Sequence, residues 1–217
     1  MSTPSAPPDS TGRRVLPEFT HRTEHGTRTT DPHSRLLEAR VVVLGGPLDE
    51  RSAGEVIAQL LVLDGDADGR GLSLYLNSPG GSFQAMAAVH DTLRQLRSEV
   101  ETVCVGQAGP EAAVLLAAGT PGRRLMLAHS RIVLRQPTLA DPFEGGPADV
   151  AVWAAEALRQ RAVMTELLSE LTGQERERVA ADIDRARVLD AAAALDYGLV
   201  DSLVTERPAA PGPEERR

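Results

Sequence analysis

Short apolar runs alternate with segments of helical periodicity along most of the chain. Apolar runs closed by turn residues predict buried strands at 41–44, 72–76, 102–105 and 132–134. Apolar residues at helical spacing predict helices at 49–63, 82–96, 111–118, 149–171, 174–181 and 190–195. Asp49 and Ser82 are suited to cap two of these helices. Strands in alternation with helices predict an α/β fold with a parallel, helix-covered sheet.

The helix predicted at 149–171 does not fit a simple doubly wound core. It is long and rich in alanine, and apolar residues recur along it at helical spacing. This pattern indicates that the helix packs on another chain. Trp153 could equally belong to the core of its own chain.

Composition narrows the class of protein. The chain has 217 residues, enough for one domain with a core, and its ends at 1–16 and 207–217 have the composition of disordered segments. The net charge of -8 argues against a general nucleic-acid binder. We find no apolar run long enough to span a bilayer and no secretory signal, so a cytoplasmic location is expected. All 23 basic residues are arginine, which is typical of a GC-rich bacterial genome.

Single residues also exclude some chemistry. Cys104 is the only cysteine, so an internal disulfide framework and a multi-cysteine metal site are excluded. We interpret Cys104 as a small buried strand residue. No metal or nucleotide site is expected from the pattern.

The strongest local feature is a glycine turn between a predicted strand and a predicted helix. Gly80 and Gly81 follow Asn77-Ser78-Pro79 and allow positive φ and close approach of a ligand to the backbone. The free N–H groups at the start of the helix favour negative charge, so an oxyanion site is a natural use. The alternative interpretation is an ordinary tight turn.

Asn77-Ser78-Pro79-Gly80-Gly81 resembles the signature of the ClpP family, the proteolytic subunits of ATP-dependent Clp proteases, within the crotonase-like superfamily. The resemblance covers roughly residues 30–206. It implies an α/β fold of repeated β-β-α units in a spiral, a domain at 34–206 with a protruding handle helix at about 149–171, and a ring-forming oligomer. Residues 17–33 resemble the family's axial loop. Further matching segments follow in the family's order at 34–37, 40–45, 58–63, 91–93, 104–108, 115–119, 130–132, 136–137, 171–174 and 197–201.

The catalytic Ser–His–Asp triad of the family has no counterpart at the matching positions. The family's serine lies in Gly-x-Ala-Ala-Ser-Met, where residues 106–111 here put Pro110. The family's histidine lies in Met-Ile-His-Gln-Pro, where this chain has Arg135 before Gln136-Pro137. The family's aspartate is matched by Ala186. The resemblance therefore implies that no triad is intact.

The resemblance implies other sites. Gly80, Gly81 and Glu111 stand at oxyanion-hole-like positions, although a carboxylate at 111 would repel a developing oxyanion. Tyr75 and Leu125 match a pocket that receives a loop of the partner AAA+ ATPase. Ring contacts are implied for Asp184, Arg185 and Trp153, although Asp184 and Arg185 could be only a solvated pair. The chain needs no cofactor of its own, because ATP is used by the partner ATPase.

Three functions remain open. The first is a catalytically inactive, ClpR-like pseudoprotease in a mixed or homo-oligomeric double heptamer, which would modulate degradation by active ClpP subunits. The second is a divergent serine peptidase with a site rebuilt from neighbours of the glycine turn. The third is a homo-oligomer that binds a peptide or adaptor without cleaving it. Candidates for a rebuilt site are Ser78, Ser82, His90, Glu111 and His129.

Overall fold

The computed structural model describes residues 19–23, 26–66, 69–138 and 146–204. It divides into two compact units, Met1–Ala39 and Arg40–Arg217. In the first unit, β1 (Phe19–Thr23) and β2 (Gly26–Thr30) form an antiparallel hairpin, followed by α1 (Pro32–Glu38), which the Asp31 side chain caps. The predicted axial-loop segment spans this hairpin. The predicted leader at 1–16 and tail at 207–217 lie outside the described residues.

The second unit contains every strand and helix that the periodicity predicts, with small changes at their ends. Three strands of this unit were not predicted, namely β6, β8 and β9, and neither were β1, β2 and α1 of the first unit. The three missed strands of the second unit have three or four residues each. The elements are β3 (Val41–Leu44), α2 (Glu50–Gly65), β4 (Leu72–Ser78), α3 (Phe83–Gln95), β5 (Val100–Ala108), α4 (Pro110–Ala117), β6 (Arg124–Leu127), β7 (Arg131–Leu134), α5 (Pro147–Thr172), α6 (Arg176–Asp182), β8 (Arg187–Leu189), α7 (Ala191–Tyr197) and β9 (Ser202–Val204).

The main sheet confirms the predicted α/β class and most of the predicted parallel pairing. Its parallel strands follow the order β3-β4-β5-β6-β9. β5 pairs with two different strands along its length. Residues 102–104 pair with β6, while Gln107 and Ala108 pair with β7. β8 departs from the expectation because it pairs antiparallel with β7. This branch places β7 and β8 next to the turn between β5 and α4.

The core is a row of side chains that crosses the sheet. Leu44, Leu76, Cys104 and Met126 occupy successive strands in register, and each is at most 2% exposed. Burial raises the pKa of Cys104 to about 11. The interpretation of Cys104 as a buried strand residue is therefore confirmed.

The predicted helix caps are also confirmed. The Asp49 carboxylate accepts a hydrogen bond from the backbone of Ser52 at 2.8 Å, at the start of α2. The Ser82 hydroxyl accepts one from the backbone of Ala85 at 3.2 Å, at the start of α3. Such caps satisfy amide groups that have no partner within the helix.

The long helix α5 has two different halves. Its second half buries Met164 and Leu168 against the rest of the unit. Its first half exposes Val152, Trp153 and Leu158, at 67%, 48% and 65%. Trp153 therefore lies outside the core of its own chain, which removes one of its two interpretations. No helix of the described residues, α5 included, has the length and apolarity to cross a bilayer.

An arginine–aspartate pair ties the far edge of the sheet to the helices. Arg124 Nη2 and Nε donate to the two carboxylate oxygens of Asp201 at 2.5 and 2.9 Å. Asp201 also accepts from the backbone of Gly122 at 2.7 Å, and Arg124 Nη1 donates to the carbonyls of Leu171 and Gly198, both at 2.9 Å. The hydrogen bonds from Arg124 lower the pKa of Asp201. This pair joins β6 to the ends of α5 and α7.

Candidate functional site

The glycine turn follows β4 and is held by backbone hydrogen bonds to a neighbouring segment. The amide of Leu48 donates to the Gly80 carbonyl at 3.0 Å, and the amide of Ser82 donates to the Leu48 carbonyl at 2.7 Å. The amide of Gly80 donates to the buried Ser78 hydroxyl at 3.2 Å. Gly80 has φ +94, a conformation that favours glycine. The turn is therefore rigidly placed at the end of the strand.

A second turn, between β5 and α4, lies directly against the glycine turn. The amide of Gly109 donates to the Ser78 carbonyl at 2.8 Å. A β-carbon on Gly109 would stand 1.9 Å from the Pro79 carbonyl oxygen, so only glycine allows this approach. Pro110 follows as the buried first residue of α4, a position that suits proline because its missing N–H has no helical partner there. The start of α4 thus faces the glycine turn.

Glu111 connects the two turns through its side chain. It is only 2% exposed, and its Oε2 accepts a hydrogen bond from the Gly81 amide at 2.9 Å. Burial raises the pKa of the Glu111 carboxyl, while the Gly81 amide, its own amide and the charge of Arg135 oppose that shift. The structure therefore brings together the predicted set of Gly80, Gly81 and Glu111.

The direct contact between Glu111 and Gly81 was not predicted from the sequence. A signal for it existed, because Glu111 opens a helix whose later residues, Ala112–Ala117, are all apolar and buried. A carboxylate in such surroundings needs a partner, and an amide of the adjacent turn is one.

Arg135 and Ala186 stand at the same end of the paired strands β7 and β8. Leu134, the last residue of β7, is paired with Arg187, the first residue of β8, so Arg135 and Ala186 come directly beyond this pair along the chain. The amide of Gln136 donates to the Ile183 carbonyl at 2.7 Å, two residues out of the strand register. β7 in turn pairs with the end of β5, one residue before the turn that leads to Pro110. The three predicted triad positions thus gather at one end of the sheet.

The side chains at these three positions supply neither a nucleophile nor a base. Pro110 has no hydroxyl, and Ala186 has no carboxylate to orient a base. Arginine remains protonated in proteins, so Arg135 cannot accept a proton from a nucleophile. Within the described ranges, no group of three or more His, Cys, Asp and Glu could hold a metal ion.

The candidates for a rebuilt site have other roles. Ser82 caps α3 and donates to Glu50 at 3.0 Å. His90 lies within α3 with its Nδ1 3.1 Å from Asp91, and His129 is exposed in the turn between β6 and β7. For the part of the chain that is described, no hydrogen bond joins Ser78 or Ser82 to either histidine.

The residues predicted for docking and ring contacts lie elsewhere on the unit. Tyr75 and Leu125 are both half-buried and flank Val103 in one row across the sheet, so the two side chains share a face. Asp184 accepts from Arg161 Nη2 of α5 at 3.2 Å. Arg185 is 95% exposed, and its Nε is 3.8 Å from Asp184. Asp184 is therefore tied to the long helix, whereas Arg185 faces solvent.

The turns and the branched sheet define a mixed α/β protein, and comparisons with known proteins identify its family. The family model described as Clp protease matches residues 24–207. A Streptomyces coelicolor protein with the provisional name ATP-dependent Clp protease proteolytic subunit-like is 54% identical over 207 residues, 95% of each chain. Proteolytic subunit 1 of Corynebacterium glutamicum is 45% identical over 197 residues, which cover 91% of this chain and 94% of that one.

The chain belongs to the Clp protease family. A second Streptomyces coelicolor relative, proteolytic subunit 2, is 43% identical over 200 residues, which cover 92% of this chain and 91% of that one. The proteolytic subunits of this family form oligomers and act with Clp ATPases. They are serine peptidases without cofactors, and ATP works through the partner ATPase.

Proposed function

We propose that this chain is a catalytically inactive, ClpR-like subunit that assembles with active ClpP subunits and modulates protein degradation by the Clp protease. The observation that carries the proposal is Pro110, the buried first residue of α4, at the turn that faces Gly80 and Gly81. The family's nucleophilic serine matches this position. A proline ring there has no atom that could attack a peptide bond.

The other two matched positions support the same conclusion. Arg135 and Ala186 come directly beyond the paired residues Leu134 and Arg187, at the same end of the β7–β8 pairing, and a base and its orienting carboxylate need to be neighbours. Neither residue can take part in proton transfer. Loss of a triad leaves only oxyanion and binding effects, which in a serine protease means a loss of about 10⁶-fold in kcat.

The exposed first half of α5 supports assembly with other subunits. Val150, Val152, Trp153 and Leu158 point to more than one side of the helix, and each is about half exposed or more. A helix that is apolar on several sides is normally buried, so this half requires cover by another chain. We assign it the handle role, with Trp153 in the subunit contact. Asp184 and Arg185 are assigned to contacts between rings.

Two further features favour a mixed complex. One organism, Streptomyces coelicolor, has both a subunit-like relative and a numbered proteolytic subunit, so paralogues coexist there. The shared face of Tyr75 and Leu125 is our candidate surface for the ATPase loop. We assign the complex to the cytoplasm, with either a mixed or a homo-oligomeric double heptamer as its form.

Co-expression with the active subunits of the host, followed by native mass spectrometry, tests the assembly. We expect mixed rings in which this chain replaces one or more active subunits. Failure to enter any mixed ring would sink the proposal, and a homo-oligomer formed by the chain alone would then favour a peptide- or adaptor-binding role.

A fluorophosphonate probe and a fluorogenic peptide, applied to the purified chain, test the inactivity. We expect no labelling above that of a denatured control and no peptide cleavage. Labelling of the native chain would instead favour a rebuilt serine peptidase.

A further inference from the structure

The Glu111 carboxylate occupies a position in which its oxygen accepts a hydrogen bond from the backbone of the glycine turn. Its Oε2 is 2.9 Å from the Gly81 amide nitrogen. Burial raises the pKa of the Glu111 carboxyl, while the Gly81 amide and the amide of Glu111 itself, in the first turn of α4, act in the opposite direction. Backbone amides that converge at a helix start form an anion site. Here the group that occupies such a position is the carboxyl of Glu111, which belongs to the chain itself.

The fit around this carboxylate is tight. A β-carbon on Gly80 would come 2.3 Å from Oε2 of Glu111 and 3.1 Å from the ring of Pro110. The carboxylate therefore lies directly against the backbone of the glycine turn, with no room for another atom between them. A peptide carbonyl oxygen that approached the Gly81 amide would meet the Glu111 carboxylate first.

The burial and the hydrogen-bond partner of Glu111 differ from those of an ordinary glutamate at the start of a helix. A glutamate that only balances the helix dipole lies on the surface near its own helix. Glu111 is 2% exposed and accepts from an amide 30 residues away, in a different turn. The carboxylate thus bridges two loops, and Gly81 donates to no other acceptor in the described structure.

We infer that Glu111 is an internal ligand that closes the oxyanion position of this subunit, so that the position stays shut even when a nucleophile is supplied. The inference rests on the proposed inactive role of the site. It adds a second block to the one that the residue types of Pro110, Arg135 and Ala186 impose. It also gives the glycine turn a partner in the absence of a peptide, which holds the turn in shape.

Restoring the triad with and without Glu111 tests this inference. The first variant carries P110S, R135H and A186D, and the second adds E111M, the residue type that the family has after its serine. A fluorophosphonate reacts when the serine oxygen attacks phosphorus, the introduced histidine takes the serine proton and fluoride leaves. The phosphoryl oxygen needs the oxyanion position, so we expect E111M to raise the labelling rate on the order of 10²-fold. If both variants are labelled, and at equal rates, the inference is overturned.

Hydrogen exchange gives a second test that does not depend on a restored triad. Gly81 itself is exposed, so the bond to Glu111 is what protects its amide. In the otherwise unaltered chain, E111M is expected to speed exchange of the Gly81 amide roughly tenfold, as the loss of one hydrogen bond would. The matched control is E50Q, because Glu50 accepts from Ser82 beside the same turn, at 3.0 Å.

The outcomes separate this inference from the proposed function. Labelling of the unaltered chain contradicts the inactive role. Without that labelling, equal rates for the two restored variants contradict only the internal-ligand inference. If neither restored variant reacts with the fluorophosphonate, the hydrogen exchange of the Gly81 amide decides whether the inference holds. Faster exchange at Gly81 in E111M but not in E50Q supports the inference, and unchanged exchange overturns it.

Discussion

Removal of the Asp201 carboxylate is expected to destabilise the fold far more than the loss of a surface ion pair. In D201A, Arg124 keeps its bonds to the Leu171 and Gly198 carbonyls but loses its counter-charge. The amide of Gly122 also loses its acceptor. The guanidinium side chain is only 12% exposed, so water replaces the carboxylate poorly.

The magnitude follows from this burial. Removal of one partner of a buried ion pair costs about 3 to 5 kcal/mol. The Asp201 side chain is 22% exposed, so we expect a somewhat smaller loss, about 2 to 4 kcal/mol in the free energy of unfolding. Arg123, the next residue, provides a matched control because its pair with Glu99 has side chains 51% and 59% exposed. R123A is expected to cost at most about 1 kcal/mol.

Urea unfolding followed by far-UV circular dichroism, at one fixed protein concentration, measures both variants. With an m-value of about 2 to 3 kcal/mol/M, the D201A midpoint should fall by about 0.7 to 2 M, and that of R123A by much less. A D201A loss below about 1 kcal/mol, or equal losses in the two variants, would refute the reasoning.

The stabilisation by Asp201 also has a predicted pH dependence. Arg124 holds the pKa of Asp201 below its ordinary value in the folded state. The contribution is therefore complete above the unfolded pKa of about 3.9 and is lost as pH falls through the folded pKa. The stability gap between the parent and D201A should stay constant above about pH 5 and narrow below about pH 4. A gap that widens toward acid would contradict this sign.

Three other predictions concern the turn, the core and the long helix. G109A should lower the melting temperature strongly, because its β-carbon would stand 1.9 Å from the Pro79 carbonyl oxygen, whereas G46A, with nothing within 4 Å, should not. Cys104 is buried, and its pKa is raised to about 11, so a disulfide reagent at pH 8 should label it only after unfolding in urea. L158D, at a side chain 65% exposed, should keep the circular dichroism of the parent but reduce the assembly size measured by light scattering. Equal melting temperatures of G109A and G46A would contradict the first prediction. Rapid labelling of Cys104 in the native protein would contradict the second, and an unchanged assembly size of L158D would contradict the third.

The helices that the sequence predicted correctly share one property. Their apolar residues recur at helical spacing, as in α2 with Val56, Leu60 and Leu63 on its buried face. Caps such as Asp49 and Ser82 were readable because they act on amides three residues away. Short strands carry no such period, so β7 was predicted and β8 was missed, because strands of this length form only when a neighbouring strand supplies the hydrogen bonds.

For the candidate site too, part of the information comes from the sequence and the rest from the tertiary structure. The residue types at 110, 135 and 186 can be read from the chain, and with them the absence of a nucleophile, a base and an orienting carboxylate. Their proximity is a tertiary fact, since it depends on the branch of β5 toward β7 and on the register of Leu134 with Arg187. The exposure of Trp153 likewise required the packing of α5, which helical spacing alone left open between two interpretations.

The sequence by itself determined the α/β order, the family resemblance and the residue types at the three matched positions 110, 135 and 186, because these depend on residue identity and local spacing. The tertiary structure decided where the Glu111 carboxylate lies. A glutamate after Pro110 could have faced solvent, as most do at the start of a helix. The approach of the Gly109 turn to Pro79 leaves it buried beside the Gly81 amide instead. A buried carboxylate binds the donor that is nearest in space, and chain distance does not reveal that donor.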